Sequence, residues 1–403
     1  MQIKTKLIAA AICGVIASGT FASGSASAEE IEMLREEIAS LKSRLSKIES
    51  EQQLQQEKTA EIEEGFGWTK DMQVSGDFRY RYESIDQEGE DSRHRNRIRA
   101  RISLKAIITN QISYHLRLAS GNDDPVSANQ SLDGGFASKD FWLDRAYMKW
   151  RPAEGWQLNL GKTSNPFFCP GGSQLLWDSD VNPEGAALQY SGKLGEANIF
   201  ANAGGMWVEE NSSDVDQDLF GLQGGIEMKL GETEVLVGAG YFDYGNVQDS
   251  RTIYEVNESG GNSTYSDAGI EKYIYDYNLF EAFGEISLPT EFPITLFGDY
   301  VLNTASGVQE DTGWLAGIEL GSAKKKGDMA FCYNYRDVES DSAMSAFTDS
   351  DFLGGRLGGD GHKIQAKYAL NKNVSLGAAF ITGEISEPQL SYDRFQLDLK
   401  LKF

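Results

Sequence analysis

Residues 74–82 read Val74-Ser75-Gly76-Asp77-Phe78-Arg79-Tyr80-Arg81-Tyr82, with apolar or small side chains at the even positions and polar or charged ones at the odd positions. Successive side chains of an extended strand point to opposite faces, so the stretch predicts a strand with one greasy and one charged face. The next segment repeats the pattern: Ile98, Ala100, Ile102, Leu104 and Ala106 alternate with Arg97, Arg99, Arg101, Ser103 and Lys105. Ile112, Tyr114, Leu116 and Leu118 then alternate with Ser113, His115 and Arg117. Such a charged face cannot be buried dry, because an uncompensated buried charge costs several kcal/mol. It must meet water.

The alternation runs on to Phe395, Leu397, Leu399, Leu401 and Phe403, interleaved with Gln396, Asp398, Lys400 and Lys402. Between strands, short turns (109–111, 152–155, 192–196, 231–233, 289–292, 323–327, 371–373) alternate with long polar connections (86–92, 121–139, 164–184, 208–218, 245–272, 304–312, 339–359, 386–391). Seven short and eight long connections join sixteen strands. A sandwich does not sort its loops by length in this way, and no propeller repeat of about 40 residues is present. A closed membrane barrel does sort them. Nothing beyond residue 28 approaches the run of about 18 apolar residues that a membrane helix needs. A net charge of −24 excludes a basic nucleic-acid binder.

The first 28 residues read as a cleaved secretory signal peptide: Lys4 and Lys6, an apolar stretch from Leu7 to Ile16, then small residues ending at Ala26-Ser27-Ala28. From Glu29 to Glu64 there is no Gly or Pro, and Ile31, Leu34, Ile38, Leu41, Leu45 and Ile48 recur at alternating spacings of three and four. That is a heptad seam. It spans only about three heptads, near the threshold for an independent coil, so a self-associated coil is expected, with a single helix lying on its own barrel as the alternative. Cys169 and Cys332 have no metal-ligand spacing and are expected as free thiols rather than a bridge. The expected fold is therefore all-β, a 16-stranded antiparallel transmembrane β-barrel (66–403) behind a leader (1–28) and a short α-helical coiled coil (29–65).

Three segments carry a likeness to a known family: Gly76-Asp77-Phe78-Arg79-Tyr80-Arg81-Tyr82, Arg95-Asn96-Arg97-Ile98-Arg99-Ala100-Arg101 and Trp177-Asp178-Ser179-Asp180-Val181-Asn182-Pro183-Glu184-Gly185. With them the chain resembles Gram-negative outer-membrane general porins, and among these the porins with a short periplasmic coiled coil. The resemblance implies passive diffusion of ions and small hydrophilic solutes through a homotrimer set in outer-membrane lipid and lipopolysaccharide. It also implies that Phe403 is the terminal aromatic read by the outer-membrane assembly machinery, and that the third long loop turns inward to narrow the pore opposite a basic wall. That wall is expected from Arg79, Arg81, Arg97, Arg99, Arg101 and Arg117, with Arg145 and Lys149 as further candidates. The facing loop acids are expected to be Asp178, Asp180 and Glu184. Electrostatics leads the same way, since arginines at alternate positions repel unless solvated or faced by acid.

Acids also crowd other long connections: Asp86, Glu88, Glu90, Asp91, Asp123, Asp124, Glu209, Glu210, Asp214, Asp216, Asp218, Asp349 and Asp351. They are expected in solvent at an acidic mouth that favours cations weakly, with anion preference left open by the basic wall. Neither cofactor nor metal site is expected. His94, His115 and His362 have no sequence context of a catalytic triad, which argues against an enzyme. The rival reading is a barrel that mainly tethers membrane to cell wall through its coil.

Overall fold

The computed structural model describes residues 27–65, 70–212, 215–253 and 260–403. The expected leader, apart from Ser27 and Ala28, and the acid at Asp214 lie outside the described residues. The chain forms two compact units, divided at Lys70 and Asp71.

In the first unit, Ala28–Gly65 is one α-helix of 38 residues, α1. Its interior has no helix breaker, and Ile31, Leu34, Ile38, Leu41, Leu45 and Ile48 are each about half exposed.

The second unit is an antiparallel barrel. Its first eight strands are β1 (Met72–Gln87), β2 (Arg93–Ile107), β3 (Ile112–Ser120), β4 (Phe141–Trp150), β5 (Trp156–Lys162), β6 (Glu184–Leu194), β7 (Ala197–Glu209) and β8 (Gln217–Leu230). The other eight are β9 (Thr233–Gly245), β10 (Tyr277–Leu288), β11 (Ile294–Asn303), β12 (Thr312–Gly321), β13 (Met329–Val338), β14 (Gly359–Ala369), β15 (Val374–Ile385) and β16 (Leu390–Lys402). Each strand pairs with the next, and β1 pairs with β16, so the sheet closes into sixteen strands. Closure removes the open edge that an antiparallel sheet would expose.

Short turns gather at one end. Two of them, after β6 and β8, are two-residue hairpins that begin with Gly195 (φ 64) and Gly231 (φ 68), a conformation most side chains resist. Long connections, numbered L1 to L8 in chain order, gather at the other end. L2 (121–140) adds the two-residue strand Gln130–Ser131 to β2, and L5 (246–276) carries a small hairpin, Thr264–Asp267 with Ile270–Tyr273.

At the seam, Gly76 and Phe403 exchange backbone hydrogen bonds of 3.0 and 3.1 Å. A Cβ at position 76 would sit 2.5 Å from both the Arg101 carbonyl oxygen and the Phe403 ring, so only glycine lets the last strand close here. The alternation sorts as the sequence predicts. Phe78, Tyr80, Leu397 and Leu399 are exposed on the outer face, while Arg79 and Arg81 are buried on the inner one.

The inside is not uniformly polar. An apolar core of loop residues (Phe167, Trp177, Val247, Tyr273, Met344) packs onto Phe242, Leu279, Phe297, Val301 and Leu315 of β9–β12. L3 (163–183) and L7 (339–358) therefore lie within the barrel wall instead of standing in solvent.

Candidate functional site

On the inner face of β1 and β2 the register sets Arg79 opposite Arg99 and Arg81 opposite Arg97. Like charges directly opposite destabilise a sheet, so each needs a partner, and most of these come from the wall itself. Asp77, in phase with the arginines of its own strand, accepts from Arg99 (3.2 Å) and Arg101 (2.7 Å). Glu83 accepts from Arg394 (2.8 Å), lies 3.5 Å from Arg97 and also pairs with Arg95. Asp398 of β16 takes Arg81 at 2.7 Å. Arg117 pairs with Asp144 and donates to Asn182 (3.3 Å), to which Arg145 also donates (2.6 Å). Arg79 donates to the Asn129 amide oxygen of L2.

L3 crosses the lumen between two walls. On the far side, the Phe168 amide donates to Gln223 of β8 (2.7 Å), the Gly171 amide to Glu285 of β10, and the Ser173 hydroxyl to Asp299 of β11 (2.9 Å). On the near side, Asp180 accepts from Arg99 (3.3 Å) and Arg101 (3.1 Å) of β2. Burial opposes the charge on Asp180, but Arg99, Arg101 and Arg79 outweigh it and hold the carboxyl below its ordinary range.

The other two expected loop acids sit elsewhere. Asp178 meets no arginine: its carboxylate accepts from the Ser350 amide and hydroxyl, both 3.0 Å, and its own amide donates to the Phe347 carbonyl (2.7 Å). Burial first, then the nearby carboxylates of Asp349 and Asp180, push its carboxyl up to about 8. Glu184 is the first residue of β6, in phase with the exposed Leu188, and pairs with Lys162 at 2.6 Å. Strand alternation thus places it on the outer face, away from the wall it was expected to oppose.

L7 also folds inward. Asp349 and Asp351 were expected at a solvated mouth, but they bind the inner wall. Asp349 bridges Lys363 (2.7 Å) and Arg336 (3.0 Å), and Asp351 bridges Arg394 (2.7 Å) and Arg81 (3.1 Å). Burial alone would raise the Asp351 carboxyl, yet Arg394 and Arg81 drive it well below the ordinary range. Ser350, between the two acids, also brings its hydroxyl within 3.1 Å of the Val126 carbonyl of L2, so L2, L3 and L7 meet at one residue. The signal for this inward fold was present: Met344, Phe347, Phe352 and Leu353 are apolar residues that a solvated loop has no use for.

Two spaces open to water flank that meeting point. One of about 510 Å³ opens toward the long loops and includes Arg95, Arg97 and Arg394 in its lining. The other, of about 300 Å³, lies toward the short turns and includes Arg81, Lys363 and Lys400. Val126, Ser350 and Asp351 line both. Cys169 and Cys332 are free and half-buried.

A closed sixteen-stranded barrel, greasy outside and charged within, defines an outer-membrane channel. The family described as "Putative porin" matches residues 85–280 and 274–403, and the chain belongs to it. It is thus an outer-membrane channel protein and not an enzyme. In fold it is similar to OprB of Pseudomonas putida, with 11% identity and a TM-score of 0.55 over 83% of this chain and 94% of that one. A mutant porin of Rhodopseudomonas blastica aligns over 82% of this chain and all of its own, at 10% identity and a TM-score of 0.48. Among curated protein sequences none matches this chain.

Proposed function

We propose that the protein is a passive diffusion channel for ions and small hydrophilic solutes whose narrowest level lies where L3 and L7 meet the arginine wall. The observation that carries this reading is Asp180, a loop carboxylate held by Arg99 and Arg101 of the wall opposite L3's other anchors. The assigned eyelet is Asp180 with Asp351 from L7, facing Arg79, Arg81, Arg97, Arg99, Arg101 and Arg117. Fixed charges of both signs lining the spaces on either side of this contact order the water there, so polar solutes pass at lower cost than apolar ones. With Asp349 and Asp351 withdrawn from the mouth and matched to cations, the balance shifts from the weak cation preference expected of an acidic mouth toward anions.

In the same reading residues 1–28 are the export leader, Phe403 is offered to the assembly machinery, and lipopolysaccharide surrounds the long-loop end. Trp150 and Trp156, both exposed and flanking a short turn, belong to the periplasmic aromatic girdle. The half-exposed heptad seam of α1 supports a coil between copies, and we assign it the clamping of a trimer. Conductance of the refolded protein in a planar bilayer under a salt gradient tests the whole. Ohmic steps with a measurable reversal potential are expected, and they should persist after deletion of residues 29–64. A barrel that never conducts would leave only the tether.

A further inference from the structure

The wall arginines at the level of L3 are matched by carboxylates or amides. Below them, toward the short turns, the same wall changes character. Its inward positions on β1–β5 are Gln73, Ser75, Ser103, Lys105, Ser113, His115, Tyr147, Lys149, Gln157 and Asn159, with no carboxylate inside these strands below Asp77 and Asp144, while the exposed Asp71 and Glu154 stand just beyond the strand ends. The register brings the cations together: Lys105 lies opposite His115, His115 opposite Tyr147, and Lys149 opposite Ser113. Arg151 follows Lys149 by two residues, hence in the same phase. The charges that bear most strongly on His115 are Lys149, Lys105, Arg151 and Arg145, all positive, and those on Lys149 are Arg151 and Lys105. Among the described residues, no carboxylate pairs with Lys105, Lys149 or Arg151.

Resting on the channel reading above, we propose that this patch is a binding site for small multivalent oxyanions on the periplasmic half of the lumen. Clustered like charges repel unless something neutralises them, and every polar group around them can donate. The His115 imidazole is held in place, stacked on Tyr147 with centroids 4.8 Å apart and hydrogen-bonded to the Ser113 hydroxyl at 2.9 Å. Two ammonium groups and a guanidinium suit an anion with several oxygens better than a chloride ion, because guanidinium binds oxyanions through paired hydrogen bonds and ammonium as a point charge. Across the lumen, Glu285 and Glu319 stand on the inward phase of β10 and β12, so a dianion is pressed toward the lysines and kept from the other wall. The site lies past the eyelet for a solute entering from outside. It would hold such an anion at the exit, where release into the periplasm follows.

Single-channel current in potassium chloride, with inorganic phosphate added stepwise to either side, tests the site. In the native protein phosphate should depress the chloride current saturably, at lower concentration from the short-turn side. Lys105→Gln with Lys149→Gln should raise the half-blocking concentration by at least about tenfold, as loss of two charge-assisted bonds implies. Lys229→Gln, exposed at the short-turn end of β8 where the lysine pairs with Glu234, should leave it unchanged. Should the double variant fail to fold, Arg151→Gln, at an exposed position, should move the value in the same direction by less. Chloride conduction without phosphate block, or equal block in every variant, overturns the site. Absence of any chloride conduction overturns the channel reading instead.

Discussion

Along β1–β3 the inward positions hold Arg79, Arg81, Arg97, Arg99, Arg101 and Arg117 with their acids, whereas along β9–β12 the same phase holds Phe242, Tyr244, Leu279, Phe297, Val301 and Leu315, all buried. One barrel thus encloses two interiors. The apolar half is closed by an ordinary hydrophobic core, in which L3, L5 and L7 act as the second layer that this part of the sheet would otherwise lack. The charged half covers its arginines with paired carboxylates and amides and keeps open spaces beside them. The difference assigns separate tasks: the packed half fixes how much of the cross-section is left, and the charged half fixes what crosses it.

The packed half is most vulnerable at Trp177, its buried centre. Its ring stacks on Phe167 at 5.7 Å, meets Phe242 edge-on at 5.5 Å and stacks on Phe347 of L7 at 6.3 Å. Trp177→Ala removes about 3–5 kcal/mol of such packing, which is enough to release two loops without opening the hydrogen-bonded wall. Single-channel conductance should rise markedly and become noisy, while the reversal potential moves little. Unchanged conductance would show that this core does not set the width.

The next test moves the other half alone. Arg99→Gln with Arg101→Gln strips Asp180 of both of its cations on β2 but leaves L3 anchored at Ser173 and Asp299. Under a salt gradient the reversal potential should shift toward cations by an amount that falls with ionic strength, because the charges in the gap are screened. A shift equal to that of Trp177→Ala would erase the division between the halves.

How much of this was legible in the sequence follows from period two. Strand count, loop sorting and the arginine wall all rest on alternation, which is a local property. The packed half was harder to read because its inner face mixes apolar side chains such as Phe297 and Val301 with acids such as Glu281 and Asp299: around Leu296, Phe297 and Tyr300 the alternation blurs. That blur is itself the sign that something must cover the inner face. Asp77, Glu83 and Asp398 share the phase of the arginines and were readable as wall acids. Asp349 and Asp351 were not, since inward folding of L7 depends on tertiary partners 14 to more than 250 residues away.

A smaller effect is expected where the halves touch, at Asp178. Its carboxyl titrates at about 8 against an ordinary 3.8. A raised native value means that the unfolded chain releases its proton first, so the docking that Asp178 supports is complete below about pH 4, declines as pH rises and is lost through about pH 8. Hydrogen exchange of the Ser350 amide, which this carboxyl accepts, should quicken between pH 6 and 9 beyond its intrinsic base-catalysed rise. Asp178→Asn should flatten that extra dependence. A native protein with none would place Asp178 in water.

The smallest effect is the most exacting check on which face counts as lumen. Glu184 and Asp180 are four residues apart in one acidic segment, and composition alone assigns them the same work. Backbone geometry separates them, since β6 begins at Glu184 and its phase is then set by Leu188 on the outside and Ala187 within. A charge on the outer rim, paired with Lys162 and in reach of bulk ions, is screened over about 8–10 Å at physiological salt and hardly enters the field across the gap. Glu184→Gln should therefore leave both conductance and reversal potential as they are, while Asp180→Asn changes the potential. A clear shift from Glu184→Gln would mean that β6 is out of register by one residue, which would turn every side chain of that strand to the opposite face.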